Sequence, residues 1–186
     1  MAHHTTNDAS TVSSAASEAE HEVTEFRYVL ATDALAQPLL AELEIEYDTR
    51  YGEFFGAAAS AEMTRYPASD FAVPHGAFVV LLRDGLPVAG GAFKRFNEGT
   101  AEFKRIWTAA THRRQGLARL VLAELEAEAS RRGYTRVYLT TGPRQPEARN
   151  LYVATGYTAL FDLNASADEV GIHAFEKHLP EAAPGT

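Results

Sequence analysis

The chain has 186 residues, 46% of them hydrophobic and 23% charged, with no cysteine and a formal net charge of −8. That balance fits one globular domain with a tail. It excludes disulfides, thiolate metal sites and a cysteine nucleophile, and it argues against general nucleic-acid binding.

Residues 1–22 are rich in Ala, Ser, Thr, His and Glu and hold almost no large apolar side chain. They cannot bury enough surface to offset ordering entropy, so a disordered tail is expected there and a folded domain over residues 23–186. His3 and His4 are adjacent in this tail, and no metal is expected. No basic start leads into an apolar segment as in a secretory signal. No apolar run approaches the ~18 residues of a membrane helix. A cytoplasmic protein with no membrane partner is expected.

Residues 26–30 read as a first strand. Thr32 or Asp33 then offers a helix N-cap, and Leu35, Leu39, Leu43 and Tyr47 repeat at i+4, predicting a helix to about residue 50 with Pro38 in its first turns. Its other faces are acidic, either a solvated surface or a rim that attracts a cationic substrate. A short helix is expected within residues 56–66 and irregular chain over 67–75. Strands follow at 77–82, 88–96 and 101–108, joined by turns at Asp84-Gly85 and Asn97-Glu98-Gly99, which makes an antiparallel meander. The second of these strands is loosened by Gly90 and Gly91.

The pattern then changes. A helix is expected from about 115 to 132, with Ala118, Val121, Leu122, Leu125 and Ala129 facing the core and Gly133 closing it. A strand at 136–141, a short helix opened by Pro146 and closed by Gly156, and strands at 157–162 and 173–178 complete the chain. The strand–helix–strand unit is long enough for a right-handed parallel crossover. The class is α/β (α+β): a mixed, mostly antiparallel central sheet with helices on both faces.

Five bases and no acid fall within residues 103–123. Three of them flank the turn Arg113-Arg114-Gln115-Gly116-Leu117-Ala118-Arg119. A glycine that opens a helix just after a strand leaves the first N–H groups without intrahelical partners, at the positive end of the helix dipole. Two readings stand on this pattern: a phosphate or pyrophosphate cradle, or an ordinary arginine-flanked helix start.

Arg113-Arg114-Gln115-Gly116-Leu117-Ala118 also matches Gln/Arg-x-x-Gly-x-Gly/Ala, the central signature of the GNAT superfamily (GCN5-related N-acetyltransferases). Residues 101–108 look like that family's fourth strand, and residues 139–148 like its fifth strand and following loop. Asn150-Leu151-Tyr152 with Gly156-Tyr157 resembles its last-helix signature, and Phe175-Glu176-Lys177 a common closing strand. The resemblance spans residues 26–180.

The resemblance implies acetyl-CoA as co-substrate and no metal. It implies strands 4 and 5 that splay apart, with the backbones of Ile106, Trp107 and Thr108 along the pantetheine arm. Arg113, Arg114, Gln115, Gly116, Leu117, Ala118 and Arg119 would hold the pyrophosphate, and Asn150 would sit near the pantetheine or adenosine side. Acetyl transfer to an amine needs a deprotonated amine, a polarised carbonyl and a protonated leaving thiolate. Tyr152 matches the family's proton donor, or packs in the core. Glu102 matches the carboxylate that serves as base in one branch, where others use water. A backbone N–H near Trp107 or Thr108 matches the oxyanion donor. Glu46, Tyr47, Tyr51, Phe54, Phe71 and His75 are the acceptor-pocket candidates. The expected partner is a small-molecule amine, with a protein lysine or N-terminus as the alternative and a non-catalytic acyl-CoA sensor as the third. Dimers are common in the family, so a homodimer is possible.

Overall fold

A computed structural model describes residues 23–52 and 60–180 of the chain. The tail expected over residues 1–22 lies outside them, as does Phe54. Seven strands form one sheet: β1 (Thr24–Tyr28), β2 (Ala77–Arg83), β3 (Leu86–Asn97), β4 (Thr100–Thr108), β5 (Arg136–Thr141), β6 (Thr158–Ala159) and β7 (His173–His178). Their spatial order is β1-β2-β3-β4-β5-β7-β6. Every neighbouring pair is antiparallel except β4 and β5. That parallel pair is bridged by α3 (Leu117–Arg131), the expected crossover.

β2 reads as a continuous apolar run because both of its faces are buried. The β2–β3 turn places Asp84 at φ 50 and Gly85 at φ 81, the left-handed pair a two-residue hairpin needs. α1 (Gln37–Tyr51) lies on one face of the sheet, where Leu39 and Leu43 pack with Phe71, Phe78, Ala92 and Trp107. On the other face Val121, Leu122, Leu125 and Ala129 of α3 meet Val79, Phe93, Phe103, Val137 and Phe175. Gly90 and Gly91 do more than loosen β3. A Cβ on Gly90 would stand 2.6 Å from Leu39 Cδ1, and one on Gly91 2.7 Å from Ile106 Cδ1 and 3.0 Å from Leu125 Cδ1. Two adjacent glycines thus seat both helices against the same level of the sheet.

Some local expectations shift. α1 starts at Gln37 with no side-chain cap, because Asp33 spends its carboxylate on the Leu35 N–H (2.8 Å) in a preceding turn. α2 is one short helix, Ser60–Thr64. α3 opens at Leu117, and Leu117 takes the buried position expected of Ala118. Its end is a Schellman closure, with Gly133 N–H on Ser130 O (2.9 Å) and Tyr134 N–H on Ala129 O (3.0 Å). α4 (Pro146–Ala154) forms where expected. The strand expected over 157–162 shrinks to the two residues of β6, since Asp162 instead bonds the Asn164 N–H (2.8 Å) in a turn. A further helix, α5 (Ala167–Val170), follows, with Ser166 and Glu169 as a capping box.

Candidate active site

β4 and β5 pair over only four steps, from Thr100↔Arg136 to Phe103↔Leu139. β5 then continues along β7 to Thr141↔His173, while β4 turns away. The departure is produced by a bulge: the register with β3 shifts between Gly90 and Ala92, and Arg105 on the β4 side has φ 58. A non-glycine residue in that region costs on the order of 1 kcal/mol or more. Here the Arg105 guanidinium donates to Met63 O (2.8 Å) and lies 4.4 Å from the centre of the Phe71 ring, which holds the bulge in place.

The gap opens into a cleft of 380 Å³ between β4, α1, the start of α3 and α4. Of the residues expected to hold a coenzyme, Ile106, Trp107, Thr108, Arg113, Arg114, Gly116, Leu117, Ala118 and Arg119 line it. Gly116 is the N-cap of α3, with φ 79, and Arg114 has φ 60. A Cβ on Gly116 would meet no atom of the described residues within 4 Å, so backbone conformation rather than crowding calls for glycine there. Among the described residues, the N–H groups of Gly116, Leu117 and Ala118 have no protein acceptor. Among the described residues, Thr108 Oγ1 is buried in the wall of the cleft without a partner. Open N–H groups, a left-handed glycine and flanking arginines suit an anionic ligand.

Gln115 and Asn150 do not line the cleft. Gln115 Oε1 accepts from Arg83 Nη1 (2.7 Å), which turns the amide toward β2. Asn150 is exposed on α4, because the cleft takes Ala148, Leu151 and Tyr152 and residue 150 points well away from that stripe.

Tyr152 combines both readings of its role. Its ring is buried against Tyr157 (5.7 Å) and Phe175 (5.4 Å), while the residue forms part of the cleft wall. Among the described residues its hydroxyl has no hydrogen-bond partner. Burial above all, with a smaller contribution from Tyr47, pushes its pKa far above the phenolic range, so the proton stays on the oxygen.

Glu102 lies elsewhere. It is buried on the α1 side of β4, with Oε2 3.0 Å from Lys94 Nζ and Oε1 3.1 Å from Lys104 Nζ. Lys104 also reaches Glu62 of α2 (3.4 Å), and Tyr66 lies under both ammonium groups. Glu102 is therefore the centre of a Lys–Glu–Lys clamp beneath α2 and is not part of the cleft wall.

The acceptor-pocket candidates divide. Glu46 lines the cleft. Tyr47, on α1, packs partly buried against the core, its pKa pushed up to about 12 by burial and then by Glu62 and Glu46. Tyr51 is buried and donates to Gln145 Oε1 (3.3 Å). Phe71 is core, packed edge-on to Tyr66 and under Arg105, so it is not a surface for an acceptor. His75 is exposed and its carbonyl accepts from Tyr134 (2.8 Å) just beyond α3, at the end of the sheet away from the cleft.

Residues not anticipated include Gln145 and Glu147. Gln145 Oε1 gathers the Thr141 hydroxyl (3.0 Å), the Gly142 N–H (3.4 Å) and the Tyr51 hydroxyl, joining β5, α1 and α4. Glu147 pairs with Arg50, and Arg50 with Glu46 (3.0 Å). Glu46 in turn binds Arg113 (2.8 Å), so one chain of charge crosses the mouth of the cleft. The position of Glu147 in the first turn of a helix opened by Pro146 was the available signal. Among the described residues, no group of three or more His, Asp or Glu side chains is placed to hold a metal ion, and no helix is long and apolar enough to cross a membrane.

The splayed parallel pair running to a glycine-opened helix start is the geometry that the sequence resemblance implies. The chain belongs to the GNAT acetyltransferase family, whose model matches residues 40–157. It is 39% identical over 77 residues to the uncharacterized N-acetyltransferase YsnE of Bacillus subtilis, a match that covers 40% of this chain and 51% of that protein. The chain thus spans about half the length of that curated relative. A solved structure described as an acyl-CoA N-acyltransferase of Klebsiella pneumoniae is 25% identical, with a TM-score of 0.64 over 84% of this chain and 97% of that one. The PaiA N-acetyltransferase of Thermoplasma acidophilum, solved with coenzyme A, shares the fold at 14% identity, TM-score 0.64, covering 84% of this chain and 99% of its own. YncA of Salmonella typhimurium, solved with acetyl-CoA, shares it at 15% identity, TM-score 0.56, covering 88% and 98%.

Proposed function

We propose that this chain is an N-acetyltransferase that moves the acetyl group of acetyl-CoA to a primary amine of a small molecule. The observation that carries this reading is the continuity of the β4–β5 gap with the Gly116 cradle, with Tyr152 forming part of the same wall. The structurally similar proteins of Thermoplasma and Salmonella, solved with coenzyme A and acetyl-CoA, support it.

Acetyl-CoA supplies an activated thioester when bound. The N–H groups of Gly116, Leu117 and Ala118, with Arg114 and Arg119, hold its diphosphate. The backbone of Ile106, Trp107 and Thr108 offers the exposed flank of β4 to the pantetheine arm, and an N–H near Trp107 or Thr108 polarises the carbonyl. Tyr152 holds a proton at its hydroxyl for the leaving sulfur. Of the two bases the family resemblance leaves open, water is favoured over Glu102, because both Glu102 oxygens are engaged by lysines. A compact acceptor is favoured over a protein chain because α1 is braced to α4 through Glu46, Arg50 and Glu147 across the mouth of the cleft. This reading places the protein in the cytoplasm, where acetyl-CoA is available.

The test is thiol release from acetyl-CoA across a panel of small amines and peptides. Turnover of small amines is expected. Turnover of peptides alone would reassign the acceptor, and tight coenzyme binding without any turnover would mark a sensor.

A further inference from the structure

The cradle's three arginines are not equivalent. Among the described residues Arg114 has no acceptor, and Arg119 makes one long contact, Nη1 to Ala154 O at 3.4 Å. Arg113 is already committed: its Nη2 donates to Glu46 Oε2 at 2.8 Å, and its Nε reaches Thr108 O at 3.4 Å. The two partners differ in freedom. The Arg113 side chain is 46% exposed and Glu46 only 19%. Glu46 is fixed on the wall of α1, and Arg113 is the half that can swing.

Glu46 is also insured against losing that partner. Its other oxygen, Oε1, lies 3.0 Å from Arg50 Nη2. Arg50 is itself anchored by Glu147 and by Arg144, with Arg50 Nη1 on Arg144 O and Arg144 Nη1 on Arg50 O, both 2.7 Å. Withdrawal of Arg113 therefore leaves Glu46 paired, which removes the penalty for stranding a part-buried carboxylate. A diphosphate carries more negative charge than one carboxylate and offers the guanidinium a bidentate site. Glu46 and Arg113 also both line a second cavity of 330 Å³ between α1 and residues 110–113, so their contact is the partition between it and the main cleft.

We propose that Glu46 is a competitor built into the cradle: it holds Arg113 in the coenzyme-free protein and gives it up to the coenzyme's diphosphate. This rests on the coenzyme reading above. The exchange sets coenzyme affinity below what the cradle alone would give, and it unties α1 from the cradle when coenzyme arrives. It makes Glu46 a positioning residue that favours release of product coenzyme.

The sign of the effect separates this from a structural brace. In calorimetry with coenzyme A, Glu46→Gln should tighten binding by about two- to fivefold, the size of one ion pair to a half-exposed arginine released, and stopped-flow should place the gain in the dissociation rate. The same change in an Arg113→Gln background should have no effect. Unchanged or weaker binding in Glu46→Gln, or a gain that persists without Arg113, would overturn the proposal. If Glu46→Gln does not fold, Arg113→Gln against Arg114→Gln decides. The Arg113 change should weaken binding less, because its contact with coenzyme is net of a broken ion pair; an equal or larger loss overturns the exchange. Absence of coenzyme A binding by the wild-type protein would instead sink the coenzyme reading itself.

Discussion

At the scale of single residues, Tyr152 shows how packing and chemistry share one side chain. The ring contacts with Tyr157 and Phe175 fix its position, and the same burial keeps the hydroxyl protonated. Tyr152→Phe keeps the packing and removes the proton. It should lower kcat by about ten- to a thousandfold with coenzyme A affinity unchanged in calorimetry; wild-type kcat under chemistry-limited conditions would end the donor role. Glu102 gives the opposite expectation. Glu102→Gln leaves Lys94 and Lys104 without their shared anion and should destabilise the fold by about 3 kcal/mol in urea unfolding. The kcat of the folded protein should stay within about threefold, whereas a loss beyond a hundredfold, the scale of a lost general base, would return the role to Glu102. Sequence could not separate these two residues. Both sit at family positions, and what distinguishes them is who else reaches them: Lys94 from the neighbouring strand, and Lys104 from two residues along β4.

At the scale of elements, the site is the meeting of three local irregularities: the Arg105 bulge, the left-handed Gly116 and the early end of the β4–β5 ladder. The adjacent glycines of β3 serve the same meeting by letting α1 and α3 approach. Gly91→Ala should destabilise by about 1–3 kcal/mol through overpacking against Ile106 and Leu125, read as a lower urea midpoint at constant m-value; an unchanged midpoint would show that the helices can yield. Most elements were legible in the sequence because their signals are local. The β5 apolar alternation, the Asp84-Gly85 turn, Pro146 at a helix start and Gly133 at a helix end each act within a few residues. What was not legible depends on competition or on partners far along the chain. Asp33 and Asp162 use their carboxylates in turns and so displace the expected helix start and strand. Phe71 and His75 look like pocket residues until the sheet assigns one to the core and the other to the far end. The Ser166–Glu169 capping box is a local signal of the legible kind, a Ser three residues ahead of a Glu.

At the scale of the whole molecule, His173 ties stability to pH. It is buried on β7, stacked on Phe161 (4.6 Å), its Nδ1 unpartnered among the described residues, and burial holds its pKa below the ordinary 6.5. The unfolded chain therefore takes up a proton at a pH where the native state does not. This contribution is fully present above the unfolded pKa and is lost as pH falls toward the depressed native value. Wild-type protein should lose more stability than His173→Phe between about pH 7 and about pH 5, measured by urea unfolding; equal losses would place the proton elsewhere. The short parallel ladder has a kinetic counterpart. Four residue pairs between Thr100–Phe103 and Arg136–Leu139 join a meander of sequence-local hairpins to the β5–β7–β6 half. Closing that seam requires the whole α3 crossover to be in place, so it carries the larger loop-closure entropy and should zip after the meander. In pulsed hydrogen exchange during refolding, amides of β2 and β3 should gain protection before those of β5. The seam that opens the cleft would then also be the last part of the sheet to form.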